Sequence, residues 1–283
     1  MSAPPLSLAR AFLFVPADRP ERHARALACG AGGVIVDLED AVAPERKVQA
    51  REQLAASFAA LPAADRRRLL VRINAAGTPW HDDDCAQIGA LAAQGLIAGI
   101  VLPKAERAAD LSRLAEAAGP SAVLVPLIET AAGLAAADEL AAAPQVLRLA
   151  FGNLDFQADL GLACDADEAE LVPVRLALLL ASRRAGLAAP IDGVTPDWRD
   201  TARLAADTAR ARRGGFGARL CIHPDQVAPV HAGLGPTAQE LAWARRVVEA
   251  IRAAGGGVVS LDGRMVDAPV VRLAERLLAL EHI

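Results

Sequence analysis

The chain has 283 residues and is 53% hydrophobic but only 3% aromatic, so its core must be built from aliphatic side chains and alanine. A net charge of −4 offers no electrostatic argument for nucleic acid or an anionic membrane, and no apolar run approaches the roughly 18 residues of a membrane span. Cys29, Cys85, Cys164 and Cys221 lie far apart without a C-x-x-C pair, which reads as free buried thiols in a reducing, cytoplasmic compartment.

Short runs rich in Val, Ile and Leu predict strands near residues 11–15, 33–38, 69–74, 99–102, 122–128, 146–151, 189–192 and 218–222. In chain order, AFLFVP leads to Asp18 and Arg19, GVIVDL leads to Glu39 and Asp40, and LLVRI encloses Arg72 and stops at Asn74. GIVLP then leads to Lys104, AVLVPLI to Glu129, VLRLAFGNL to Asp155, API to Asp192 and ARLCI to His223. An alanine-rich stretch with helical spacing follows each run, one of them opened by Pro44-Glu45. Eight such units predict an α/β fold, a TIM-type eight-stranded parallel barrel whose C-terminal strand ends gather catalytic residues around one mouth.

Such a barrel needs about 250 residues. It is expected over residues 1–225, with a loop over the mouth at ADLGLACDADEAE, and a C-terminal extension over 226–283. The extension reads as a helix, a hairpin with Asp-Gly at its turn and a final helix. It is too short to build a core of its own, so it is expected to pack on the barrel mouth or on a neighbouring subunit.

Glu129 and Asp155 follow adjacent predicted strands, so both carboxylates should face one cavity. Two carboxylates that close repel unless a cation or shared proton intervenes, and Mg²⁺ suits a site with one or two carboxylates. The alternative is that each caps the following helix. Arg72, a guanidinium among apolar neighbours, suits a carboxylate or developing oxyanion, or else an ion pair with Glu39 or Asp40. Those two carboxylates are expected to support the metal and the arginine, whereas Asp37 should point the other way along its strand. Lys104 either neutralises the acidic cluster or contacts substrate. His223 reads as a hydrogen-bonded residue of the mouth or as a ligand. His81-Asp82-Asp83-Asp84 reads as favourable charge at a helix start, because consecutive residues there do not converge on one ion.

With these positions set, LFVPADRP, DLEDAVAPERK, VRIN, LPKAE, PLIETAAG, FGNLD, DGV, CIHPDQ and DGRMVDAP occur in the order found in the citrate lyase beta-subunit-like family. The chain resembles that family, which includes malyl-CoA and citramalyl-CoA lyases, over almost its whole length. The resemblance implies a Mg²⁺-dependent carbon–carbon lyase acting beside a coenzyme A thioester. It implies Glu129 and Asp155 as metal ligands and Arg72 at the substrate carbonyl or carboxylate, with Phe14, Arg19 and Arg25 along the coenzyme A path. Asp267 would be the catalytic acid, supplied by an adjacent subunit of a homo-oligomer, commonly a trimer or hexamer; from the residues alone it reads as a helix N-cap. Val15-Pro16-Ala17 and Leu154 stand where the family often has VPG and an acidic residue, which touches substrate choice more than the metal site. Thioester hydrolysis, action on an acyl-carrier-protein thioester as in the citrate lyase beta subunit, and pyruvate-type aldol chemistry on free keto acids remain as alternatives.

Overall fold

The computed structural model describes residues 5–255 and 257–281. Eight parallel strands close into a barrel in sequence order: β1 Ala11–Pro16, β2 Gly33–Asp37, β3 Leu69–Arg72, β4 Gly99–Leu102, β5 Val123–Ile128, β6 Ala150–Phe151, β7 Ile191–Asp192 and β8 Ala218–Cys221, which returns to β1. The interior is filled by Phe12, Ile35, Leu70, Val101, Val125, Leu127, Ile191 and Leu220, with alanines 150 and 218 between them. Alternation along each strand sends these side chains inward and the intervening ones toward the helices.

The predicted strands match in place but β6 is shorter than expected. Val146 touches Leu124 only through an isolated bridge, and Arg148 leaves the ladder to fasten the N-terminal end of the barrel. Its guanidinium donates to the carbonyls of Leu6 (3.2 Å), Ala9 (2.8 Å) and Ala189 (2.8 Å). The segment after β6 also differs from expectation. Asn153–Leu160 is a helix closed by Gly161 at φ 67°, so the irregular segment starts after that residue and not at Ala158.

The chain divides into two compact units between Gly233 and Leu234, where 225/226 was expected from the sequence. In the second unit the helices Ala238–Ala253 and Ala268–Ala279 flank a hairpin of β9 Val259–Leu261 and β10 Arg264–Val266. Asp262 and Gly263 at its turn both have positive φ, the type I′ geometry that matches strand twist. Contrary to expectation, this unit gathers a small core of its own: Ala244, Val247, Val266 and Ala274 are buried, with Trp243, Ile251, Val270 and Leu277 packed around them. Alternating small and large side chains on the two helices let so short a segment close. Among the described residues no helix is long and apolar enough to cross a membrane.

Candidate active site

The C-terminal ends of β2 to β6 bring together the charged residues that the sequence singled out. Asp37 and Arg72 face each other in the β2–β3 register. Arg72 donates from Nε (2.7 Å) and Nη2 (2.6 Å) to the two oxygens of Asp37. This corrects the expectation for Asp37: it points with Glu39, two residues on, toward the arginine. Glu39 lies 2.9 Å from Nη1 and Asp40 3.2 Å from Nη2, in ion-pair contact but without a directed hydrogen bond to the guanidinium. Three of the five N–H groups of Arg72 are thus left facing these two carboxylates. The ring of Phe14 lies against the guanidinium at 4.7 Å. Burial opposes the charge of Arg72, but the surrounding carboxylates outweigh it and raise its pKa.

Glu129 follows β5 directly and is only 1% exposed. Its Oε1 accepts the backbone N–H of Lys104 at 2.8 Å. Lys104 has a left-handed backbone, φ 45°, a costly conformation for a side chain with a Cβ, and this turn aims its N–H at the carboxylate. The ammonium of Lys104 reaches Glu39 Oε1 at 2.7 Å, so one residue bridges two acids. Burial pushes the Glu129 carboxyl up to about 8, and the nearby charges of Glu39 and Asp155 push in the same direction. Asp155 comes from the first turn of the helix Asn153–Leu160, while β5 and β6 are paired at Ile128 and Phe151. The predicted pair therefore shares one electrostatic environment.

Three observations bear on a cation here. Asp37, Glu39, Asp40, Glu129 and Asp155 gather around Arg72, Lys47 and Lys104, so ionising all five acids would leave two negative charges over, and the Glu129 carboxyl, pushed up to about 8, resists that ionisation. Glu39 Oε2 is buried without a hydrogen-bond partner. A Cβ on Gly152 would come within 2.3 Å of Glu129 Oε2, so only glycine leaves that oxygen its room. A buried carboxylate oxygen without a hydrogen bond, and a cluster of acids that needs added positive charge to ionise fully, fit a hard divalent ion. Among the described residues no set of three or more His, Cys, Asp or Glu converges as a ready metal cage, so the fit rests on the carboxylate pair.

The remaining predicted residues lie as follows. Arg19 occupies the turn after β1, and Arg25 is exposed on the short helix His23–Ala28. His223 Nδ1 accepts from Asp225 N at 3.2 Å, and its ring stacks on Trp198 at 3.9 Å. Asp267 caps the helix Ala268–Ala279, accepting from Val270 N at 3.3 Å, as the residue-level reading expected. The His81–Asp84 run does more than favour a helix start. Asp84 is buried and accepts from both the backbone and the side-chain amide of Asn74, at 2.9 and 2.7 Å, and from Arg51 at 2.9 Å.

Sequence reading missed two groups. Lys47 is buried beneath the β2 loop, and the only signal was a lysine at the first turn of a helix after DLED. Glu168, at φ 49°, is held by Arg175 and by Arg210 (2.8 Å), while Arg175 and Arg219 meet Asp192 at 2.9 and 3.2 Å. That network occupies Asp192, the polar residue after β7, with structural partners.

The sequence pattern of the HpcH/HpaI aldolase/citrate lyase family matches residues 10–224. The chain is 40% identical to a citrate lyase subunit beta-like protein of Mycobacterium tuberculosis over 94% of its own length and 93% of that protein. It is 32% identical to a (3S)-malyl-CoA thioesterase of Cereibacter sphaeroides over 95% and 93% of the two chains. A crystal structure of CitE from Mycobacterium tuberculosis in complex with magnesium, acetoacetate and coenzyme A superposes with a TM-score of 0.84 at 37% identity, covering 98% of this chain and 100% of that one.

Proposed function

Since the chain belongs to the HpcH/HpaI aldolase/citrate lyase family, we propose that it is a Mg²⁺-dependent carbon–carbon lyase. Its substrate would be a malyl-, citramalyl- or citryl-like acyl-CoA, cleaved to a short acyl-CoA and an α-keto acid, or formed in the reverse Claisen-type condensation. The observation that carries this reading is the Glu129 carboxyl, 1% exposed, beside the charges of Asp155 and Glu39 and with its Oε2 kept clear by Gly152. The relative crystallised with magnesium, acetoacetate and coenzyme A supports the same chemistry.

Glu129 and Asp155 would hold the ion, with Glu39 and Asp40 behind them. Bound there, Mg²⁺ would supply Lewis-acid polarisation of the substrate's oxygens. Arg72, aligned by Asp37 and flanked by Glu39 and Asp40, would set its positive charge beside the negative charge that develops on an enolate or keto-acid oxygen. Lys104 keeps Glu129 and Glu39 apart and in register. Phe14 shields the guanidinium, and Arg19 and Arg25 offer cationic side chains to the phosphates of coenzyme A. Asp267 would come from the C-terminal unit of a neighbouring copy in a homo-oligomer and deliver a proton to the enolate carbon in cleavage.

The test uses malyl-, citramalyl- and citryl-CoA with Mg²⁺, following keto acid and free thiol together. Glu129→Gln and Asp155→Asn should each remove Mg²⁺-dependent keto-acid release while the protein stays folded. Full turnover in either variant, or in EDTA-treated protein, would sink the reading. Asp267→Asn separates its two roles, because Asn caps a helix as well as Asp. An unchanged melting temperature with turnover lost by about 100-fold or more identifies an acid; unchanged turnover leaves only the cap. The likeness to a (3S)-malyl-CoA thioesterase favours a second reading, hydrolysis of the thioester after the same enolate chemistry. Thiol release in step with substrate loss would establish it.

A further inference from the structure

Two residues one helical turn apart, Lys47 and Arg51, reach from the helix Lys47–Ala59 into the loops that carry the mouth's charged groups. Lys47 is 6% exposed. Its ammonium donates to the carbonyls of Leu38 (2.7 Å) and Glu39 (2.5 Å) and to Asn74 Oδ1 (2.7 Å), which uses all three of its N–H groups. No carboxylate lies within ion-pair distance of Nζ among the described residues, and the Trp80 ring sits 5.1 Å away.

Successive carbonyls of a strand point to opposite sides, so two consecutive ones can meet a single ammonium only where the strand has ended. The ammonium therefore marks the end of β2 at Asp37 and holds the turn that follows. That turn is what lets Asp37, Glu39 and Asp40, all within four residues, reach one guanidinium. The third bond runs to the other side. Asn74 follows Arg72 by two residues; its N–H and side-chain amide are taken by Asp84, and Asp84 is in turn held by Arg51. The helix thus grips the β2 loop through Lys47 and the β3 loop through Lys47 and Arg51 together.

We propose that Lys47 is a positioning residue that sets the spacing between Glu39 and Arg72, and through the Lys104 bridge the placement of Glu129. A tetrahedral, three-donor ammonium is needed because its acceptors are two carbonyls and an amide oxygen. A planar guanidinium cannot aim at all three. The catalytic consequence rests on the proposed lyase function, but the positioning itself does not.

The test measures amide hydrogen exchange in resting wild type, Lys47→Met and Lys47→Arg, together with kcat and KM for the active thioester. In both variants residues 38–42 and 73–75 should exchange at least tenfold faster while the strands β4 to β8 keep their protection. In both, kcat/KM should fall by about 100-fold. Lys47→Cys alkylated with bromoethylamine rebuilds an ammonium at nearly the same reach and should recover most of kcat/KM, with equally treated wild type as control. A merely structural role would instead lower protection throughout the barrel and would not respond to alkylation. If Lys47→Met does not accumulate as folded protein, Lys47→Arg carries the same comparison. Wild-type exchange over 38–42 and 73–75 in either variant overturns the proposal, whatever the assay shows. An inactive wild type with the expected local exchange would overturn the lyase reading and leave the positioning role standing.

Discussion

The two ends of the barrel each bury an arginine and treat it in opposite ways. At the mouth, Arg72 is ringed by Asp37, Glu39 and Asp40, which raise its pKa against the effect of burial. At the N-terminal end, Arg148 donates, among the described residues, only to backbone carbonyls and lies over the Phe12 ring at 5.4 Å. Among the described residues no carboxylate is within ion-pair distance of it, and burial pushes its pKa down to about 9, so it is still protonated at neutral pH. Carbonyls satisfy N–H groups and tie the segment before β1 to the strands β6 and β7, but they do not neutralise a charge. Arg148 is therefore a fastener. The mouth holds more acid than its own cations balance, and that surplus is where chemistry is to be sought.

The sharpest way to break this contrast is conservative substitution at the mouth. Arg72→Lys keeps the charge but not the fork that Asp37 grips, and kcat/KM should fall by about 100-fold or more with little change in melting temperature. Near-normal turnover would make Arg72 another fastener. At the opposite end, Arg148→Met leaves the carbonyls of Leu6, Ala9 and Ala189 without donors. It should lower unfolding free energy by about 2–4 kcal/mol in denaturant titration, while KM and Mg²⁺ requirement stay at wild-type values. A shifted KM would mean that the two ends communicate.

A smaller effect concerns pH. The Glu129 carboxyl lies at about 8 in the folded protein against an ordinary 4.5, so the folded state holds a proton that the unfolded chain has released. Metal-free stability from this group is present below 4.5, falls as pH rises from there to about 8, and levels off above. A divalent ion favours the ionised carboxylate, so the rise in melting temperature on adding Mg²⁺ should grow by a few degrees between about pH 6 and pH 8. In Glu129→Gln that growth should vanish. An equal Mg²⁺ shift at both pH values in wild type would place the ion elsewhere.

Period and punctuation were enough to determine the barrel. Eight Val/Ile/Leu runs, each closed by a polar residue and followed by a helix, admit one simple closure. Glu129, Asp155, Arg72 and Lys104 could be read off because strand ends in such a barrel converge. The Asp-Gly hairpin and the Asp267 cap were legible for a similar reason, since both depend on neighbours in sequence. Only the tertiary structure decided how the charges pair. Asp37 turned out to be the main partner of Arg72, because two side chains in register across parallel strands meet whatever their local alternation suggests. Lys47 and Glu168, and the burial of Asp84, were invisible for the converse reason. Each is an ordinary surface residue by type, and it is buried only because distant segments fold over it and bring the acceptors, or the arginines, that make burial tolerable.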